Sequence, residues 1–415
     1  MREDWTECYF EDLLDYEQPT KYIVSSTDYN DAYEIPVLTA GKSFIKGYTN
    51  ETEGIFENLP TIIFDDFTTA SQYVDFKFKV KSSAMKILVP TSKLVNMKFA
   101  FYAMQVNQIR NDTHKRYWIS VYAKKKFLLP PLVEQKAIIS KIEELFSDLD
   151  KGIDDLKKAK DQLVLYRQAV LSSSFPKNDK IEISKLVKKL SQGWSPKCIN
   201  ANSNDNSQWA VIKTSAIQSG KFVEYENKIL PNNLEPREQH EIKEGDILIT
   251  RAGPRVRVGI CCLVRKTRPK LINCDKVYRI ELNRDLVDAE YFEYALNSPE
   301  ILRKIEMMKT GSSDSGLNLT QNIFLKLQIP FTSDKNEQHK IIQEIESRLS
   351  VCDKVEQSIS ESLEKAKVLR QSILKKAFEG KLLSAAEIAR CKQEKDYEPA
   401  SVLLEKIKEE KKIIV

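Results

Sequence analysis

The sequence predicts an α+β protein. Two mixed α/β globular blocks are separated by two long antiparallel coiled-coil helices, arranged as a pseudo-two-fold internal repeat. Three observations carry this. Glu134–Phe175 and Glu337–Phe378 align without a gap at a shift of 203 residues, matching Glu134–Gln135 to Glu337–Gln338, Ile138–Ile139 to Ile341–Ile342, Asp150–Lys151 to Asp353–Lys354 and Arg167–Gln168 to Arg370–Gln371. Both copies keep an apolar seam in alternating three- and four-residue steps, the mark of paired helices. The stretches before and between them mix strand-like and helix-like patterns.

The first block, 1–129, has strand-like runs at Tyr33–Leu38, Pro60–Phe64, Tyr73–Val80 and Met85–Val89, then an apolar helix near Leu94–Ile109. Trp118–Pro130 alternates into a proline, as a strand does. The central helix, 130–175, starts after Pro130–Pro131, where a helix begins but does not extend backwards. Its seam reads Ile142, Leu145, Leu149, Gly152, Leu156, Ala159, Leu163, Tyr166 and Val170, with one gap at Gly152. The second block, 176–329, has strands at Asp246–Thr250, Gly259–Val264 and Lys276–Leu282 and helices at Ala289–Asn297 and Glu300–Lys309. Asn318–Pro330 repeats the alternating run into a proline. The distal helix, 330–383, carries the weaker seam Ile345, Arg348, Cys352, Val355, Ile359, Ser362, Ala366, Leu369 and Ile373. At 1.5 Å per residue each helix is a rod of roughly 60 Å, and the simplest burial for each one-sided seam is the other rod. A charged tail, 384–415, ends in a short helix from about Pro399.

Composition narrows the function. The 415 residues are 41% hydrophobic, enough for real cores. No stretch approaches the ~20 apolar residues of a membrane span. Met1–Cys8 carries Glu3, Asp4 and Glu7 rather than the basic-then-apolar order of a signal peptide, so a cytoplasmic protein with no membrane association is expected. The seven cysteines show no ligand-pair spacing, and three histidines are a thin supply for metal or acid–base chemistry, so no metal site is expected. Gly311–Gly316 lacks the Lys and Ser/Thr of a phosphate loop, and no dinucleotide fingerprint or nucleophile elbow is present. Catalytic residues are not expected.

The distribution of charge points to a polyanion. Met1–Phe76 holds 4 basic and 16 acidic residues, Lys77–Lys126 holds 12 basic and one acidic, and Arg251–Lys270 holds seven basic and none acidic. Two separated basic segments fit nucleic acid. In the first block the candidates are Lys42 and Lys46 on Gly-bearing turns, Lys77 and Lys79, and Lys115 and Arg116 beside Tyr117 and Trp118. In the second they are Ser195 and Lys197 in the loop Gly193–Lys197, and Arg251, Arg255 and Arg257 after a strand end. Arginine suits base reading because its fork can take guanine O6 and N7 together, whereas lysines and hydroxyls mostly position phosphates.

The run Leu129–Pro–Pro–Leu–Val–Glu–Gln135 into Ile138–Ile139 and its partner at Ile329–Pro330 and Glu337–Gln338 resemble the specificity subunits of type I restriction–modification systems. The endings Tyr166–Arg–Gln–Ala–Val–Leu171 and Leu369–Arg–Gln–Ser–Ile–Leu374, Glu244–Gly–Asp–Ile–Leu–Ile–Thr–Arg251 and Gly311–Ser–Ser are similar to that family too. The first block has Leu59–Asp66 where the second has the Gly-Asp-apolar-Arg signature, and departs from it there. The resemblance implies a non-catalytic reader of double-stranded DNA, with each block a target-recognition domain for one half of a bipartite sequence and the rods setting the gap. It implies partners: methyltransferase subunits, which would carry S-adenosylmethionine while this chain binds no cofactor, and restriction/translocase subunits. The expected partner-binding positions are Glu134, Gln135, Arg167, Glu337, Gln338 and Arg370, and the tail would pack beside the first domain. The alternatives are a stand-alone DNA-binding regulator and a coiled-coil scaffold that binds only proteins.

Overall fold

Both repeated segments are single helices, Leu132–Ser173 and Lys335–Phe378. The computed structural model describes residues 2–41, 43–107 and 116–414. The chain divides into two units, Met1–Leu156 with Glu361–Val415, and Lys157–Ser360. Each therefore contains one globular block, part of each long helix, and its own cores.

In the first unit, the strands Leu14–Glu17, Met85–Pro90, Thr61–Asp65 and Ser71–Val74 form an antiparallel sheet in that order. A three-stranded sheet follows the order Ile45–Thr49, Ile35–Leu38 and Lys79–Val80, its last pair parallel. Side chains alternate across a strand, so Ile62 and Phe64 enter one core while Ile63 enters another. Both faces are covered, which is why this strand reads as a continuous apolar run. The first core gathers Phe99 and Ala103 of the helix Met97–Val106, Ile138 and Ile142 of the first long helix, and Ile373 and Phe378 of the second. Leu403, Leu404 and Ile407 of the tail helix Ala400–Ile414 complete it.

The second unit repeats this topology. Val187–Gln192, Val277–Leu282, Ile247–Thr250 and Cys261–Leu263 form the antiparallel sheet. Asn227–Ile229, Ala210–Ile212 and Leu271–Ile272 form the three-stranded one, again with its last pair parallel. Ile247 and Ile249 face the core that holds Val170 and Ile345 of the long helices, and Leu248 faces the other. Each unit also has an antiparallel strand pair leading into its long helix: Thr6–Tyr9 with Lys126–Leu129, and Lys180–Glu182 with Gln328–Pro330.

Three expectations need correction. Trp118–Pro130 is not one strand: Trp118–Tyr122 is a helical turn with Trp118 and Tyr122 buried, and the strand is limited to Lys126–Leu129. Asn318–Pro330 likewise contains the helix Gln321–Leu325 before its strand Gln328–Pro330. Finally, the helix seam holds at most expected positions, among them Leu149, Leu156, Leu163, Cys352, Ile359 and Ala366, but steps aside by one residue at isolated points. Ile153, Leu349 and Glu356 are half-buried where Gly152, Arg348 and Val355 are exposed, and Arg167 and Arg370 replace Tyr166 and Leu369. Each step is local: the seam returns to the expected residues at Leu156 and Val170 and at Ile359 and Ile373, so the 3.5-residue repeat is kept over the whole helix.

The displaced seam puts charges between the helices. Arg167 pairs with Asp353 at 2.6 Å and Glu356 at 3.2 Å in the second unit. Arg370 pairs with Asp150 and lies 4.3 Å from the Phe146 ring in the first. Arg167 and Arg370, and Asp150 and Asp353, are equivalent under the 203-residue shift, so each unit holds the same antiparallel crossing. Half-exposed pairs of this kind add little stability, typically about 1 kcal/mol or less, but they fit one register.

Candidate nucleic-acid interface

The second unit gathers most of its predicted residues around one cleft. Gly193 donates from its backbone to the Cys274 carbonyl at 3.2 Å, and Trp194 to the Asn273 carbonyl at 2.9 Å. This close approach needs glycine, since a Cβ at residue 193 would lie 1.9 Å from the Asn273 oxygen. The loop is then pinned at its tip, where the Ser195 hydroxyl donates to Asp275 Oδ1 and accepts from the Asp275 backbone amide at 3.1 Å. Arg251 Nε donates to the Asp275 carbonyl at 2.9 Å, with its guanidinium over the Tyr278 ring.

Beside this junction is an open cleft of about 490 Å³ lined by Ser195, Lys197, Lys213, Lys228, Asp275 and Lys276, among others. Lys213 lies 3.6 Å from Glu226. The Ser215 hydroxyl, with Lys213 and Arg257 nearby, holds the Glu226 carboxyl below its usual range. Arg257 itself is half-buried and does not line the cleft. Arg237 stacks on Trp194 at 4.5 Å, a cation on an aromatic face beside the loop. The structure thus brings together Ser195, Lys197 and Arg251.

Arg255 is turned elsewhere: it pairs with Glu306 at 2.5 Å and Asp314 at 2.8 Å. These carboxylates must be displaced before Arg255 can read a base. Sequence reasoning missed Lys213, Lys228, Arg237, Asp275 and Lys276. Lys213 and Lys276 flank strands, Ala210–Ile212 and Val277–Leu282, and strand-end position was the available signal.

The first unit is more neutralised than its sequence implied. Lys79 is buried, its ammonium 2.9 Å from Glu51 and donating to the Glu53 carbonyl at 2.6 Å. It is a structural cation rather than a DNA contact. Lys77 is exposed but paired with Glu57 at 2.6 Å. Tyr117 and Trp118 are buried, so neither offers the aromatic face expected beside Arg116. Lys46 and Arg116 are exposed, and Lys42 and Lys115 lie outside the described residues.

The predicted partner-binding positions are also mostly inward. Glu134 is 1% exposed and accepts from Arg2 at 3.0 Å and Trp5 Nε1 at 2.9 Å. Gln135 is buried and donates to the Pro130 carbonyl, and Gln338 is buried and donates to the Leu286 and Thr332 carbonyls. Arg167 and Arg370 are committed to the helix pairs. Among the six, Glu337 alone is exposed, accepting from Thr332. The repeat of Gln135 and Gln338 reflects junction packing between each long helix and its own unit, and that of Arg167 and Arg370 the helix crossing, while Glu134 and Glu337 differ in burial.

Two copies of one α/β topology on paired long helices, one bearing a basic cleft, define a duplicated DNA-recognition protein. The chain belongs to the specificity subunits of type I restriction enzymes. It is 31% identical over 392 residues to the EcoR124I/EcoR124II specificity subunit of Escherichia coli, which covers 87% of this chain and 89% of that one. It is 40% identical over 173 residues to the EcoEI specificity subunit of the same species, 42% of this chain and 29% of that one. In fold it is similar to a chain of a type I R-M system solved for its assembly and conformational transition (TM-score 0.66, 17% identity, 91% of this chain and 98% of that one). It is also similar to the HsdS subunit of Thermoanaerobacter tengcongensis (TM-score 0.51, 16% identity, 92% and 98%). No family model matches the chain.

Proposed function

We propose that this chain is the non-catalytic DNA-reading subunit of a cytoplasmic type I restriction–modification complex. Each unit reads one half of a bipartite duplex target, and the paired helices set the gap between the halves. The observation that carries this reading is the duplicated topology: one reading fold appears twice, with different loops, on two repeated helices. Different loops on one scaffold suit two different half-sites.

The helices also offer a duplicated docking face. Leu165 and Tyr166 are 65% and 49% exposed, and their shift equivalents Val368 and Leu369 are 69% and 50% exposed. Repeated apolar positions suit two copies of one partner, a methyltransferase subunit that carries the S-adenosylmethionine, with restriction/translocase subunits joining for cleavage. No helix among the described residues is long and apolar enough to cross a membrane.

The test is to co-express the chain with the methyltransferase subunit of its own system and profile methylated adenines genome-wide. A single two-part sequence with a fixed gap supports the reading. Methylation at one continuous sequence, or transfer by this chain alone, overturns it.

A further inference from the structure

We infer that Asp275 determines specificity, reading an exocyclic base amine, cytosine N4 or adenine N6, in the half-site met by the second unit. The inference rests on the DNA-reading function proposed above.

Asp275 is the one carboxylate among the residues lining the basic cleft, beside Lys197, Lys213, Lys228 and Lys276. It is exposed. An exposed carboxylate on a surface that meets phosphates is repelled by them, so its presence opposes general DNA affinity. The opposition is offset where the carboxylate meets a hydrogen-bond donor. In the major groove cytosine and adenine present an amine, while guanine N7 and O6 and thymine O4 present acceptors alone. A carboxylate there accepts from the first pair and repels the second.

The geometry holds Asp275 for this task. Ser195 bonds Oδ1 and the backbone amide of Asp275, and Arg251 Nε bonds its carbonyl. With Oδ1 held, Oδ2 has no hydrogen-bond partner among the described residues and is available to a base. Ser195 is then a positioning residue, and Lys197, Lys228 and Lys276 suit the flanking phosphates.

The experiment is methylation-site profiling of the complex carrying Asp275→Asn, Asp275→Ala or Ser195→Ala, beside the unaltered complex. The unaltered complex should require cytosine or adenine at one position of one half-site, and which of the two appears identifies the amine. Asp275→Asn, which can donate as well as accept, should reduce discrimination against guanine and thymine at that position by roughly 10- to 100-fold. Asp275→Ala should relax the same position, and Ser195→Ala should relax it less, with the gap and other half-site unchanged in every variant. Retention of the unaltered base preferences by Asp275→Asn and Asp275→Ala, or uniform weakening at all sequences, overturns the inference. The unchanged other half-site shows that the variant is folded. Absence of a two-part site with the unaltered chain would instead overturn the underlying function.

Discussion

Glu134→Ala should destabilise the first unit more than any surface change in it. The Glu134 carboxylate is buried at the start of the first long helix, holding Arg2 and the Trp5 indole N–H, with Tyr397 of the tail at 3.5 Å. Removing it strands a buried indole donor and leaves Arg2 without its counter-charge. Breaking a buried pair costs about 3–5 kcal/mol. The low end, about 3 kcal/mol, is expected because Arg2 keeps access to water. Asp4 ties the same region to the tail through Lys392 at 2.8 Å and Tyr397 at 2.7 Å. Loosening should therefore spread to both chain ends. Hydrogen-exchange mass spectrometry should show lost protection in Thr6–Tyr9 and Ala400–Ile414 and unchanged protection in Val277–Leu282. Full protection of all three segments would show that Glu134 does not organise the junction.

Gly193→Ala should have the largest effect on DNA reading. The added Cβ meets backbone, the Asn273 oxygen at 1.9 Å and Cys274 N at 2.6 Å, so no side-chain rotation relieves the clash. The loop must lift from Asn273–Asp275, losing two backbone hydrogen bonds and the Ser195–Asp275 clamp together. A cost of about 2–3 kcal/mol fits overpacking against fixed backbone, and binding of the second unit's half-site should fall roughly 100-fold. Competition binding with duplexes altered in one half at a time measures this. The first half-site should keep its contribution; an equal loss at both halves would mean that the variant damages more than this loop.

The long helices were legible because periodicity and repetition act over forty residues, longer than any local ambiguity. The common topology of the blocks was not. The strand Thr61–Asp65 occupies the place of Ile247–Thr250, but Asp66 follows it where Arg251 follows the other. The fold needs only a two-sided apolar strand there, so the flanking residue is free to differ and the sequence signature vanishes. Repetition is also ambiguous: Gln135 and Gln338 recur as buried amides at the two helix starts, whereas Glu134 is buried and its equivalent Glu337 is exposed, and sequence alone does not separate packing from docking. Lys79 looked like a DNA contact because a strand lysine in a basic run is normally exposed. Its partner Glu51 lies 28 residues upstream, on a segment whose proximity only the fold creates.

The central claim is that the paired helices are the ruler for a two-part target. One heptad added to both, after Asp155 and after Ser358, keeps the 3.5-residue seam in phase. It lengthens the pair by about 10.5 Å. With about 3.4 Å of duplex per base pair, the preferred gap should grow by at most about 3 base pairs. Profiling methylated sites of the lengthened protein with its methyltransferase subunit should show the longer gap between two unchanged half-sites. An unchanged gap, or altered half-site bases, would contradict the account.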